Sequence, residues 1–147
     1  MKFYFLTQDF FNDYANCSEM EKKQNRPYAN VCMITLNGLL FAIPIRSNIR
    51  HPYAIFSNVQ RTKGLDLSKA VIINNPAKYL NQTVSVVIDR KEYSILEAKE
   101  KKGKIEKKLL SYIKTYKKAL EKQEIPGNKF LCSVSCLQYF HKELGIE

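Results

Sequence analysis

Val31-Cys32-Met33-Ile34-Thr35-Leu36-Asn37-Gly38-Leu39-Leu40-Phe41-Ala42-Ile43-Pro44-Ile45 reads as a β-hairpin. Asn-Gly tolerates the positive φ angles at both centres of a two-residue turn. The flanking arms, residues 31–36 and 39–45, are apolar at nearly every position. A half-wet strand would alternate; these arms predict a pair covered on both faces, in the middle of the core.

Outward from the hairpin, residues 2–6 read as a strand. Residues 8–16 read as a helix that gathers Phe10, Phe11 and Tyr14 at helical spacing. Residues 18–25 are polar and predict a loop. Downstream, residues 53–56 suit another strand and 58–63 a loop, while the β-branched runs 70–73 and 84–88 predict two more strands. Residues 93–98 fit either a strand extension or a helix start. The charge run 99–108 is broken by Gly103. Ile105, Leu109, Tyr112, Ile113, Tyr116 and Leu120 then form one apolar stripe with lysines between them. That stripe predicts a long helix ending before Pro126-Gly127. A last helix is expected over 135–144, with Leu137, Phe140 and Leu144 on one face and Gly145 after it. Strands and helices do not alternate, so the expected class is α+β. The expectation is a compact, twisted antiparallel sheet, partly rolled and flanked by helices, in a single domain over residues 1–147.

The 147 residues suffice for one core, and 45% hydrophobic residues supply it. The longest apolar stretch, 31–45, is interrupted by Thr35, Asn37 and Gly38, which excludes a membrane span there. The opening apolar run is too short for a signal peptide, which predicts a cytoplasmic protein. Cys17, Cys32, Cys132 and Cys136 have no zinc-type spacing and read as reduced, packed thiols. No metal or other cofactor is expected, and there is no Walker or dinucleotide loop. Lys and Arg number 24 against 14 acids, a net charge of +10 that draws polyanions. No basic amphipathic terminus or lipidation motif favours a membrane over nucleic acid.

The hairpin runs straight into Pro44-Ile45-Arg46-Ser47-Asn48-Ile49-Arg50-His51-Pro52-Tyr53. RNA carries its own nucleophile, the 2′-hydroxyl. Cleavage by that route needs a proton acceptor, an acid for the departing 5′ oxygen, and donors for charge growing on the phosphate. Arg46 and Arg50 offer permanently charged forks. His51 can serve as base or acid. Ser47 and Asn48 can donate to the phosphate, with Tyr28 and Lys69 as reserve donor and cation. In an extended chain Arg46, Asn48 and Arg50 share one face, with Ser47, Ile49 and His51 on the other. A single site therefore requires a bend. The plainer reading is a solvated loop. On that reading the lysines of 99–108 form a wet face, from which Lys104 and Lys108 can touch phosphates. His141 then lies at a core edge, Tyr112 and Tyr116 belong to the core, and Arg26-Pro27-Tyr28 is a loop entering a strand.

Arg26-Pro27-Tyr28, the apolar hairpin around Asn37-Gly38, and the close Phe41-Ala42-Ile43-Pro44-Ile45-Arg46-Ser47 form an ordered set. That set resembles the type III toxin–antitoxin endoribonucleases, the ToxN/AbiQ family. Ile49-Arg50-His51 and Gly64-Leu65-Asp66-Leu67-Ser68-Lys69-Ala70-Val71 look like its CptN branch. The resemblance spans most of the chain and implies a sheet similar to MazF/Kid-like toxins. It implies metal-independent cutting of single-stranded RNA, leaving 2′,3′-cyclic phosphate and 5′-hydroxyl ends, in a phage-defence setting. It also implies inhibition by a small repeat RNA antitoxin, a pseudoknot that bridges toxins into a hetero-oligomer. Ser47 carries over as a catalytic or phosphate-binding donor, Tyr28 as a catalytic candidate, and Lys69 as a basic RNA-binding residue near the following strand; Arg26, Asn48, Lys104 and Lys108 are RNA-binding candidates by their own chemistry. Many members carry a Ser-Ser-Pro-Lys-like run where this chain has Arg46-Ser47-Asn48-Ile49-Arg50-His51, without lysine. Arg50 or His51 must then take the cationic or proton-transfer role. The alternative is a non-catalytic basic RNA-binding protein.

Overall fold

A computed structural model describes residues 1–17 and 30–146. Arg26 and Tyr28, both named above, lie outside the described residues.

The chain opens with β1 (Lys2–Leu6) and α1 (Gln8–Asp13), the latter capped by the Thr7 side chain on the Phe10 N–H. The hairpin follows as β2 (Val31–Leu36) and β3 (Leu39–Arg46), in register from Val31↔Pro44 to Leu36↔Leu39. Asn37 and Gly38 take φ of 52° and 78°, as the two-residue turn requires. Next come β4 (Ala54–Phe56), β5 (Gly64–Asp66), β6 (Val71–Ile72), α2 (Pro76–Tyr79) and β7 (Leu80–Asn81). The chain closes with α3 (Arg90–Lys101), α4 (Lys104–Glu121) and α5 (Pro126–Val134). The described residues thus form an α+β fold with five helices and a seven-stranded antiparallel sheet. The sheet order is β4-β5-β3-β2-β1-β7, with β6 also beside β3, and the sheet is open.

β3 is the central strand. One edge pairs with β2; the other pairs first with β6, at Phe41↔Ile72 and Ala42↔Val71, and then with β5, at Ile45↔Leu65 and Arg46↔Gly64. The partner on that second edge is broken opposite Ile43 and Pro44. The Ile45 N–H points to the β2 side, where it donates to the Asn30 carbonyl at 3.1 Å. Pro44, one residue earlier, therefore faces the other edge and has no N–H to offer there. The gap is taken up by a 3-10 turn, Leu67–Lys69, capped by the Asp66 side chain.

The stripe on α4 buries Ile105, Leu109, Tyr112, Ile113 and Tyr116 in the same core as Cys32, Ile34, Phe41 and Ile43. Residues 93–98 are helical, inside α3, which Asp89 caps through the Glu92 N–H. Two expectations are corrected. Residues 84–88 are not a strand: the segment is irregular, it pairs with no strand among the described residues, and Val87 is 87% exposed. β-Branched residues favour strands only where a pleated surface is there to cover them. The expected helix over 135–144 is a short 3-10 turn, Cys136–Tyr139, followed by irregular turns. The helix lies upstream instead, because Pro126 occupies its first turn, where a missing N–H costs nothing. Cys32, Cys132 and Cys136 are buried and form no disulfide among the described residues, and burial, with the charge of Glu100, pushes the Cys32 thiol up to about 12.

Candidate functional site

The required bend is present. Asn48 takes a left-handed backbone with φ 58°, which turns the chain after β3. Ile49 then tucks in against Ala54 and Phe56, and its N–H donates to the Thr62 carbonyl at 2.9 Å. The turn brings His51 back beside Arg46, although an extended chain would separate them.

Both meet on Asp66, which is only 2% exposed. Asp66 Oδ1 accepts from the Ser68 N–H at 3.0 Å and from Ser68 Oγ at 2.6 Å. His51 Nε2 lies 3.2 Å from the same oxygen. Arg46 Nη1 donates to Oδ2 at 3.2 Å. Burial alone would raise this carboxyl. Hydrogen bonds from His51 and Ser68, with the charges of His51 and Arg46, outweigh burial and hold it below the usual carboxylate value.

His51 is fixed at both nitrogens. Nδ1 accepts the Tyr53 N–H at 3.1 Å, which assigns the ring proton to Nε2, facing Asp66. The Tyr53 ring leans on His51 and meets Tyr112 edge-on, with centroids 5.8 and 5.6 Å apart. Tyr112 in turn donates to Ser135 Oγ at 2.7 Å, deep in the core. Ser47, Asn48 and Arg50 are exposed around this cluster, and among the described residues their side chains are engaged in no hydrogen bond or ion pair. Lys69 ends the capped turn, and its ammonium donates to the Val134 carbonyl at 3.1 Å.

Asp66 and Ser68 were not singled out from sequence as site residues. The available signal was one acid inside the apolar run Leu65-Asp66-Leu67: a charge in a buried strand needs partners.

Lys104 and Lys108 stand elsewhere. Together with Arg61 and Lys99 they line a cavity of about 530 Å³ floored by Ala54, Phe56 and Ile95. His141 bonds the Tyr116 hydroxyl at 2.6 Å, at the core edge and away from Asp66. Among the described residues no three His, Cys, Asp or Glu side chains gather as a metal-binding group. No described helix is long and apolar enough to cross a membrane.

No protein-family model, curated protein or solved structure matches the chain. Functional assignment therefore rests on the residues themselves.

Proposed function

We propose that this protein is a metal-independent endoribonuclease, the toxin of a type III toxin–antitoxin pair, acting in the cytoplasm and silenced by a small repeat RNA. One observation carries the reading. Arg46 and His51 converge on a buried carboxylate at the end of the hairpin, with Ser47, Asn48 and Arg50 exposed beside them. The net charge of +10 favours a polyanionic substrate. The likeness to MazF/Kid-like sheets and the RNA-bridged assembly belong to this reading too.

Within it, Arg50, Ser47 and Asn48 bind the scissile phosphate. Asp66 is a positioning residue. It orients the imidazole through Nε2–H, and that leaves Nδ1 as the nitrogen able to accept the 2′-hydroxyl proton. The 2′-oxygen attacks phosphorus, the bond to the 5′ oxygen breaks, and that oxygen takes a proton from solvent water, to which the imidazolium returns the proton it accepted; the products are a 5′-hydroxyl and a cyclic phosphate. Substrate must displace the Tyr53 N–H from Nδ1 for this to occur.

That same bond favours a second reading, a non-catalytic RNA-binding protein in which His51 only shapes the loop. The deciding experiment incubates the protein in excess chelator with mixed-sequence single-stranded RNA and analyses product ends. Cyclic phosphate ends, lost in Ser47→Ala, Arg50→Ala and His51→Ala proteins that still fold, are the expected result. Intact RNA bound in a salt-sensitive way would overturn cleavage and leave the binding reading.

A further inference from the structure

The cavity beside the site has a composition the fold does not need. Its floor is apolar, from Ala54, Phe56 and Ile95, and its rim carries Arg61, Lys99, Lys104 and Lys108. Lys104 and Lys108 are exposed, and no acid pairs with any of the four among the described residues. Burial, then the charges of Lys104, Arg61 and Lys108, hold Lys99 below the ordinary lysine value, so the cluster is electrostatically uncompensated. Lys99 is committed to the Phe56 carbonyl, while the Arg61 guanidinium lies over the Phe56 ring, 4.9 Å from its centroid.

Arg61 is presented deliberately. It has φ 59°, a region that L-residues with side chains rarely adopt. Its loop is pinned by Asn58, whose Oδ1 accepts the Thr62 and Lys63 N–H groups at 3.0 and 3.2 Å. Val59, on the same loop and at the cavity rim, is 88% exposed. A planar cation stacked on an aromatic ring, beside apolar surface and free ammonium groups, suits a flat base with an attached phosphate.

The cavity is lined by Ala54, the strand partner of Asp66. Ala54 pairs with Asp66, and Phe56 lies two residues along from Ala54, so these three side chains share one face of the β4–β5 pair. Phe56 lies two residues along that strand from Ala54, about 7 Å at the usual rise. Ile49, Ala54 and Phe56 form one small apolar cluster beneath both places. We infer that this cavity is a nucleotide subsite: it takes one base of single-stranded RNA on the Arg61 guanidinium, which Phe56 backs, with its phosphate on Lys104 and Lys108, next to the backbone held at the Asp66 site.

This inference rests on the RNA reading, but its test does not depend on cleavage. The probes are two short labelled oligonucleotides of equal length with 2′-methoxy groups, one bearing bases and one abasic, so neither can be cut. Fluorescence anisotropy reads their binding to the full chain. The base-bearing probe is expected to bind at least about tenfold more tightly to the wild type. Arg61→Ala should shrink that gap to within about threefold, and Arg61→Lys should not restore it, because lysine keeps the charge and loses the plane. Lys104→Gln with Lys108→Gln should weaken both probes in parallel and flatten the log–log salt slope by about 0.7, the value for one phosphate contact on a single strand. All these positions except Phe56 are exposed or lie on the rim, and unchanged thermal midpoints verify the variants. Equal binding of the two probes, or a gap untouched by Arg61→Ala, overturns the subsite. A free nucleoside monophosphate competing as well as the oligonucleotide overturns RNA as the occupant. RNA cut normally with no base-dependent gap sinks the subsite and leaves the nuclease; a base-dependent gap with uncut RNA does the reverse.

Discussion

Asp66→Asn tests whether one carboxylate organises the site. The substitution keeps shape and removes charge. Asp66 Oδ1 faces three donors, the Ser68 N–H, Ser68 Oγ and His51 Nε2, while Oδ2 faces only Arg46. An asparagine therefore keeps its carbonyl at the Oδ1 position and turns its NH₂ toward Arg46, donor against donor. One hydrogen bond between charged groups is lost, worth about 1.5–3 kcal/mol. The Arg46 side chain is 29% exposed, so water recovers part of that loss. The three remaining bonds each weaken from a charged to a neutral acceptor. The sum is about 2–3 kcal/mol, or roughly a 5–10 °C fall in Tm for a chain of this size. Urea denaturation at neutral pH measures it. A double-mutant cycle with Arg46→Ala should show a coupling above about 0.5 kcal/mol. The pH dependence has a definite sign. Asp66 titrates lower when folded, so its contribution is complete above the ordinary carboxylate value. It is lost as pH falls below about 4 through the lower folded value. The gap between wild type and variant should therefore narrow in acid. A variant within about 0.5 kcal/mol of wild type at neutral pH would refute the organising role.

Three further outcomes follow from the structure. Gly64→Ala places a Cβ 2.1 Å from the Ile55 carbonyl oxygen and 2.7 Å from Phe56 Cα, so β4 and β5 must separate; a loss of about 3 kcal/mol is expected by thermal melting, and an unchanged Tm would sink the close-approach argument. His51→Ala should lower RNA cleavage far more than His141→Ala, whose imidazole serves the Tyr116 hydroxyl; equal losses in two folded proteins would place the site elsewhere. Cys32, fully buried with its thiol pushed up to about 12, should be alkylated at pH 8 only as fast as the protein opens, as mass spectrometry of labelled peptides can follow; labelling at the rate of a free thiol would contradict its burial.

What could be read from sequence was what local chemistry decides. The central hairpin was legible because Asn37-Gly38 fixes the turn and the apolar arms fix the depth. α4 was legible because its stripe persists over 18 residues. Residues 84–88 mislead because β-propensity describes fit to a pleated surface, and the segment joins no strand among the described residues. α5 is not legible because Pro126 reads as a stop, whereas the same ring geometry starts a helix. At the site, Arg46, Ser47, Asn48, Arg50 and His51 were legible as a group, while the carboxylate that joins two of them was not. β5 is three residues long, too short to show a period, and its pairing with β3 is a tertiary fact.

Fold and site share one cause. Pro44 withholds a donor from the β5/β6 edge, the partner strand breaks there, and the resulting 3-10 turn needs an N-terminal cap. Asp66 supplies it, which puts a charge in a buried place. Capping alone would be satisfied by the Ser68 N–H and hydroxyl, and an asparagine or serine could have done it without the cost of burying a charge. The chain instead uses the ionised carboxylate and brings Arg46 and His51 to it from the solvent side, the latter by way of a left-handed Asn48. That is more than the turn requires. Ser47, Asn48 and Arg50, left exposed at the rim, contribute no hydrogen bond or ion pair to the fold among the described residues. Under the proposed reading those exposed side chains hold the phosphate, while Asp66, an anion that would repel it, stays buried beneath Arg46 and His51 and only fixes their positions.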